Sequence, residues 1–129
     1  MIKGTGIDLV EIERFNVALK RHGPQLMERV FTAGERRYCD ARPHADAHYA
    51  ARFSAKEAVL KALGTGWSGG IRWTDVEIVH AGKSHLTGPV GVKLSGVAAK
   101  VAKKLGVKKV HLSITHTQHH ASAVAIAEG

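Results

Sequence analysis

One stretch constrains the fold more than any other: from roughly Asp46 to Leu63, "DAHYAARFSAKEAVLKAL", the sequence reads as one long helix that stops at Gly64. Glycine there is a natural C-terminal stop, and the "GTGWSGG" that follows continues no helix. With about 100° per residue, Phe53, Leu60, Tyr49, Leu63 and Val59 fall into one apolar arc. Glu57 borders that arc, with Lys61 beside it one turn later, while Lys56 falls inside the arc, where a long lysine is expected to snorkel outwards. A Glu four residues before a Lys is a common helix-stabilising pair worth only ~0.2–0.5 kcal/mol. The wheel alone leaves Glu57 and Lys61 evenly poised between such a salt bridge and a functional site. Ser54 and Glu57 also match the S-x-x-E capping box, although the helix-forming residues before Ser54 place the helix start earlier.

The remaining elements arrange themselves around this helix. Ile2 to Val10 reads as an opening strand, relaxed at Gly4 and Gly6, followed by a helix with Ile12, Phe15 and Leu19 at helical spacing. Asp8 then stands at a strand-to-helix junction, where "DLVE" would make it a helix cap. Gly23 and Pro24 break that helix, and "MERVFTAGERRYC" supplies two short helical pieces separated by a turn or cap at Thr32. "IRWTDVEIVHA" alternates as a strand and "SHLTGPVGVKLS" reads as a second strand or a turn, the two able to pair as a hairpin around Gly82. A helix from about Ser95 to Leu105 stops at Gly106, and "KKVHLSITHT" and "ASAVAIAE" close the chain as strands meeting at "QHH". The expected fold class is α+β, with helices covering one face of a largely antiparallel sheet.

A length of 129 residues suits one domain, 1–129, and there is no linker, repeat or low-complexity tract. The first fifteen residues contain Asp8 and two glutamates, so they do not read as a signal peptide or membrane span, and a cytoplasmic protein is expected. The single cysteine, Cys39, rules out an internal disulfide and agrees with a reducing compartment; it is read as structural or incidental. Lys and Arg number 19 against 11 Asp and Glu, a net charge of +8, which draws acidic partners. Aromatic residues make up only 5% and are scattered, which weakens any stacking platform for single-stranded nucleic acid.

Three segments taken together carry a resemblance: "GTGIDLVEIERF" at 4–15, "FSAKEAVLKALGTG" at 53–66 and "LSITHT" at 112–117. In order, spacing and total length the chain resembles the holo-acyl-carrier-protein synthases, the small stand-alone 4'-phosphopantetheinyl transferases. It departs from them at "AGKSHL", where Ser84 stands in place of the family's usual proline. The resemblance implies transfer of 4'-phosphopantetheine from coenzyme A to a serine of an apo acyl carrier protein, an acidic partner, for fatty acid biosynthesis. It implies Mg2+ held by Asp8 and Glu57, with Lys61 on the same phosphates, and the serine proton passing to Glu57 or to a metal-bound water. Magnesium is suited by oxygen donors and usually takes one or two protein carboxylates, leaving other positions to phosphates and water. Further implied roles are Arg52 and His116 on the nucleotide phosphates, Gly64 and Gly66 where the backbone approaches them, and Arg14, extended by Lys20 and Arg21, in docking the carrier. The family assembles as trimers with active sites between subunits.

Two rivals compete. "KVAKKLGVKK" gathers Lys100, Lys103, Lys104, Lys108 and Lys109 into a basic cluster that a nucleic-acid-binding module could use, although such a run is usually a solvated face. His44 and His48, four apart, and His116, His119 and His120 near the last turn could suggest a metal site, but nine histidines make chance spacings common.

Overall fold

The computed structural model describes residues 1–80 and 89–129. Among these, the chain runs β1 (Ile2–Glu11), α1 (Ile12–His22), α2 (Pro24–Val30), α3 (Ala33–Asp40), α4 (Ala45–Leu63), a 3-10 turn (Trp73–Asp75), β2 (Val76–His80), β3 (Val90–Leu94), α5 (Gly96–Leu105), β4 (Lys109–His116) and β5 (His120–Glu128). The α+β class and the antiparallel pairing are as expected, but the strands form two sheets: β1-β5-β4 and the hairpin β2-β3. The hairpin's turn near Gly82, and Ser84 with it, lie outside the described residues. Trp73 belongs to the 3-10 turn and not to the strand that its alternation suggested, because strand pairing begins only at Val76.

The long helix α4 is the axis of the core. Thirteen of its residues are buried, and it packs against the three-stranded sheet across Ala121, Ala123, Ala125 and Ala127. Small side chains on both partners bring helix and sheet close together. Gly4 and Gly6 take this to its limit, since a Cβ on Gly4 would sit 2.0 Å from the Ala62 carbonyl oxygen and one on Gly6 would sit 1.9 Å from that of Ala58. Their role is therefore close approach of β1 to α4, not relaxation of the strand.

Lys56 does not snorkel. Its side chain and that of Glu35 are both fully buried, with Nζ 2.8 Å from Glu35 Oε1. The amine also donates to the carbonyls of Trp73, at 3.1 Å, and Val76. Glu35 accepts from the Thr32 N–H through Oε1 and from the Ile78 N–H through Oε2, each at 2.9 Å. One ion pair thus ties the cap of α3 to α4 and β2. Burial pushes the Lys56 amine below the ordinary lysine range while the Glu35 carboxylate pulls it back. The anticipated Thr32 cap is this capping box with Glu35, and Cys39 is fully buried, its thiol pushed up to about 12 mainly by burial.

Candidate active site

The glycine approach sets the first site residue. Gly4, Gly6 and Asp8 alternate on the face of β1 that meets α4, opposite Ala62, Ala58 and Ser54 in turn, so each strand step matches one helical turn. Asp8 is within the strand, paired with Ala123, and the N-cap of α1 is Glu11; Asp8 is no helix cap. The Asp8 carbonyl accepts from Ser54 Oγ at 3.1 Å and from Ser122 Oγ at 2.8 Å, which pins the backbone and leaves the carboxylate beside α4. Ser54 is committed to this contact and α4 begins at Ala45, so Ser54 and Glu57 form no capping box.

Nor do Glu57 and Lys61 form the salt bridge their spacing suggested. Lys61 Nζ lies 3.3 Å from Asp8 Oδ1 and 2.9 Å from the Ile7 carbonyl oxygen, and it is half exposed. Glu57 Oε1 instead accepts from the indole Nε1 of Trp67 at 3.1 Å. Burial raises the Glu57 carboxyl above the usual range and the charge of Asp8 adds to this; the Trp67 bond and Lys61 work the other way. Two carboxylates from separate elements, the charge of one acting on the other, with one half-exposed ammonium beside them, form a pair of oxygen donors suited to a hard cation and its phosphates. Among the described residues, no three His, Cys, Asp or Glu side chains converge as a metal-binding group.

Arg52 and His116 are placed elsewhere. His48 and Arg52 precede Glu57 and Lys61 by nine residues each, which puts the two pairs about 180° apart around α4 and about 13 Å along it. Arg52 is buried, its guanidinium 3.9 Å over the Tyr38 ring and Nη2 3.1 Å from His80 Nε2. Its Nε has no acceptor among the described residues. The His116 ring meets His48 at 5.5 Å, and His48 meets Tyr38 at 5.8 Å. Burial lowers the His48 pKa, and the charges of His116, Arg42, Arg52 and His44 lower it further. An 840 Å³ cavity opens beside this group, lined among others by Arg37, Tyr38, Arg52, Glu77, His80 and Lys93. Such a cationic, aromatic pocket suits an anion.

Gly64 caps α4 in the left-handed conformation (φ 74°) and Gly66 shares it (φ 57°); a Cβ on either would meet open space, so backbone conformation, not crowding, demands glycine. Arg14, Lys20 and Arg21 are exposed on α1, and Arg14 borders a shallow groove with Leu9, Phe15 and Ala18. Lys100, Lys103 and Lys104 are exposed on α5, with Lys108 and Lys109 exposed at the start of β4. His44 is the N-cap of α4 with left-handed backbone (φ 58°), and its carbonyl accepts from the His48 N–H at 3.4 Å, so the two residues span the first turn of the helix. Tyr38, His80 and Trp67 carry no motif, and sequence reasoning passed over them. The one available signal was Trp67 standing directly after a glycine turn, ten residues beyond Glu57.

Comparison with known proteins decides the family. The family model described as the 4'-phosphopantetheinyl transferase superfamily matches residues 4–125. The chain belongs to that superfamily. It is 45% identical over 128 residues to a holo-[acyl-carrier-protein] synthase of Solibacter usitatus, with 99% of each chain covered. To the synthase of Desulforudis audaxviator it is 50% identical over 129 residues, covering 100% of this chain and 95% of that one. The crystal structure of the Neisseria meningitidis synthase matches this transferase fold with a TM-score of 0.88 at 28% identity, covering all of both chains. The Helicobacter pylori synthase, solved in complex with coenzyme A, matches with a TM-score of 0.80 at 26% identity over 96% of this chain and 99% of that one.

Proposed function

We propose that this chain is a holo-acyl-carrier-protein synthase, transferring 4'-phosphopantetheine from coenzyme A to a serine hydroxyl of an apo acyl carrier protein. The observation that carries the reading is the meeting of Asp8 from β1 with Glu57 and Lys61 from α4: Lys61 bonds Asp8 and not Glu57, and Glu57 feels the charge of Asp8. Full-length similarity to proteins of that name supports it. In the reaction the serine oxygen forms a bond to the β-phosphorus of coenzyme A. The bond from that phosphorus to the oxygen of the nucleotide's 5'-phosphate breaks, and adenosine 3',5'-bisphosphate leaves with the electron pair. The serine proton passes to a carboxylate or to water.

Asp8 and Glu57 would hold Mg2+, whose chemistry there is neutralisation of pyrophosphate charge. The donor set fits: both donors are oxygens, and the strain of Asp8's charge on Glu57 is of a kind that a cation relieves. Lys61, half exposed and anchored only at its tip, turns from Asp8 onto the same phosphates as a compact charge. Arg14, with Lys20 and Arg21, docks the acidic carrier; Arg14→Glu is expected to raise KM for the carrier protein while leaving coenzyme A affinity unchanged, and an unaltered carrier KM would remove that role. The reading places a single domain, 1–129, in the cytoplasm, feeding fatty acid biosynthesis. Among the described residues no helix is long and apolar enough to cross a membrane.

The assignment of Arg52 and His116 to the nucleotide phosphates requires a second copy of the chain, because they lie on the opposite side of α4 from Glu57. An assembly is supported by the outer face of β1-β5-β4, where Ile7 (67% exposed), Leu9 (67%) and Val124 (39%) stand in water. We read the assembly as a homotrimer with each site shared between neighbours. Co-refolding inactive Glu57→Gln chains with inactive Arg52→Ala chains at equal amounts would then rebuild about one quarter of the sites by random pairing in a heterologous ring. Transfer restored towards that level is expected in an assay with coenzyme A and apo carrier protein. A mixture no more active than its components would contradict a shared site.

A further inference from the structure

The turn after α4 carries a residue that the transfer chemistry does not use directly. Gly64 and Gly66 reverse the chain so that Trp67 returns to Glu57, ten residues earlier, and donates its indole N–H to Oε1 at 3.1 Å. The ring is clamped from its other side. It lies against Trp73, with centroids 3.4 Å apart, and Trp73 stacks on Phe53 at 5.0 Å. The Trp73 carbonyl in turn accepts from Lys56, the amine of the buried pair with Glu35. The donor that reaches Glu57 is therefore braced by α3 and α4 together. Among the described residues no hydrogen bond engages Glu57 Oε2.

We propose that Trp67 is a positioning residue for Glu57: by engaging Oε1 it holds the carboxylate in one orientation and reserves Oε2 for the cation shared with Asp8. The inference rests on the reading of Glu57 as a metal ligand. A carboxylate ligand that is itself hydrogen-bonded is oriented before the metal arrives, and removing such outer partners typically lowers metal affinity or activity by about 10–100-fold. Trp67→Phe keeps an aromatic ring against Trp73 and deletes the donor.

The test uses Mn2+ as the probe, binding to the full chain in the presence of coenzyme A, read by the loss of the free Mn2+ resonance. Trp67→Phe is expected to weaken Mn2+ binding by about 10-fold or more, with the thermal midpoint unchanged. Transfer would show a raised KM for Mg2+ and a kcat that recovers at saturating metal. Incorporating 3-benzothienylalanine at position 67 keeps the shape of the indole without its N–H and is expected to give the same loss; it decides the question if phenylalanine lowers the midpoint. Mn2+ affinity equal to that of the unsubstituted protein in the benzothienyl chain overturns the role of Trp67. If the unsubstituted protein and Glu57→Gln bind Mn2+ equally well, the metal role of Glu57 fails instead.

Discussion

Glu57→Gln and Asp8→Asn are each expected to reduce phosphopantetheine transfer by on the order of 10³-fold without disturbing the fold. The magnitude follows from losing a carboxylate that helps neutralise the pyrophosphate, worth several kcal/mol in the transition state, at about 1.4 kcal/mol per tenfold in rate. The fold persists because the substitutions are nearly isosteric. A glutamine carbonyl at position 57 still accepts the Trp67 N–H, and the Asp8 backbone remains pinned by Ser54 and Ser122. Initial rates of carrier modification, compared with circular dichroism of the same samples, check both halves of this expectation. Near wild-type rates in either variant would show that the two carboxylates do not hold the metal.

The largest expected effect on stability lies away from the chemistry, at the buried pair of Glu35 and Lys56. Glu35→Ala leaves the Lys56 amine without its counter-charge and the Ile78 N–H without its acceptor, in a place that water does not reach. Breaking a buried pair in this way costs about 3–5 kcal/mol, a large share of the roughly 5–15 kcal/mol by which domains are stable. At about 4 °C per kcal/mol, the midpoint of thermal unfolding falls by on the order of 12–20 °C. Adding Lys56→Met to Glu35→Ala removes the stranded charge and is expected to recover much of that loss. A Glu35→Ala midpoint within a few degrees of the parent, or a double variant with the two losses simply added, would deny that the pair braces the helix carrying Glu57.

Most elements were legible because their signals are local. The stop at Gly64, the break at Gly23 and Pro24, the Thr32 cap and the alternation of the last two strands each act through neighbours in sequence. What escaped depends on contacts between distant segments. Gly4 and Gly6 read as loose strand residues until the Ala58 and Ala62 carbonyls are beside them. Lys56 reads as a surface lysine until Glu35, twenty-one residues earlier, meets it in the core. The wheel placed Glu57 at the edge of the apolar arc but could not show that its partner is Trp67 and that Lys61 turns to Asp8. Arg52 presents the same difficulty more strongly, because its position on the far side of α4 makes sense for nucleotide binding only when a second copy is present.

The measurement that tests the central claim most directly is the intact mass of an apo acyl carrier protein after incubation with this protein, coenzyme A and Mg2+. The carrier is predicted to gain the mass of one phosphopantetheine on its serine, with adenosine 3',5'-bisphosphate released in equal amount and no gain when Glu57→Gln replaces the unsubstituted chain. A carrier whose mass never changes, across several apo carrier proteins and with the protein folded, would contradict the assignment.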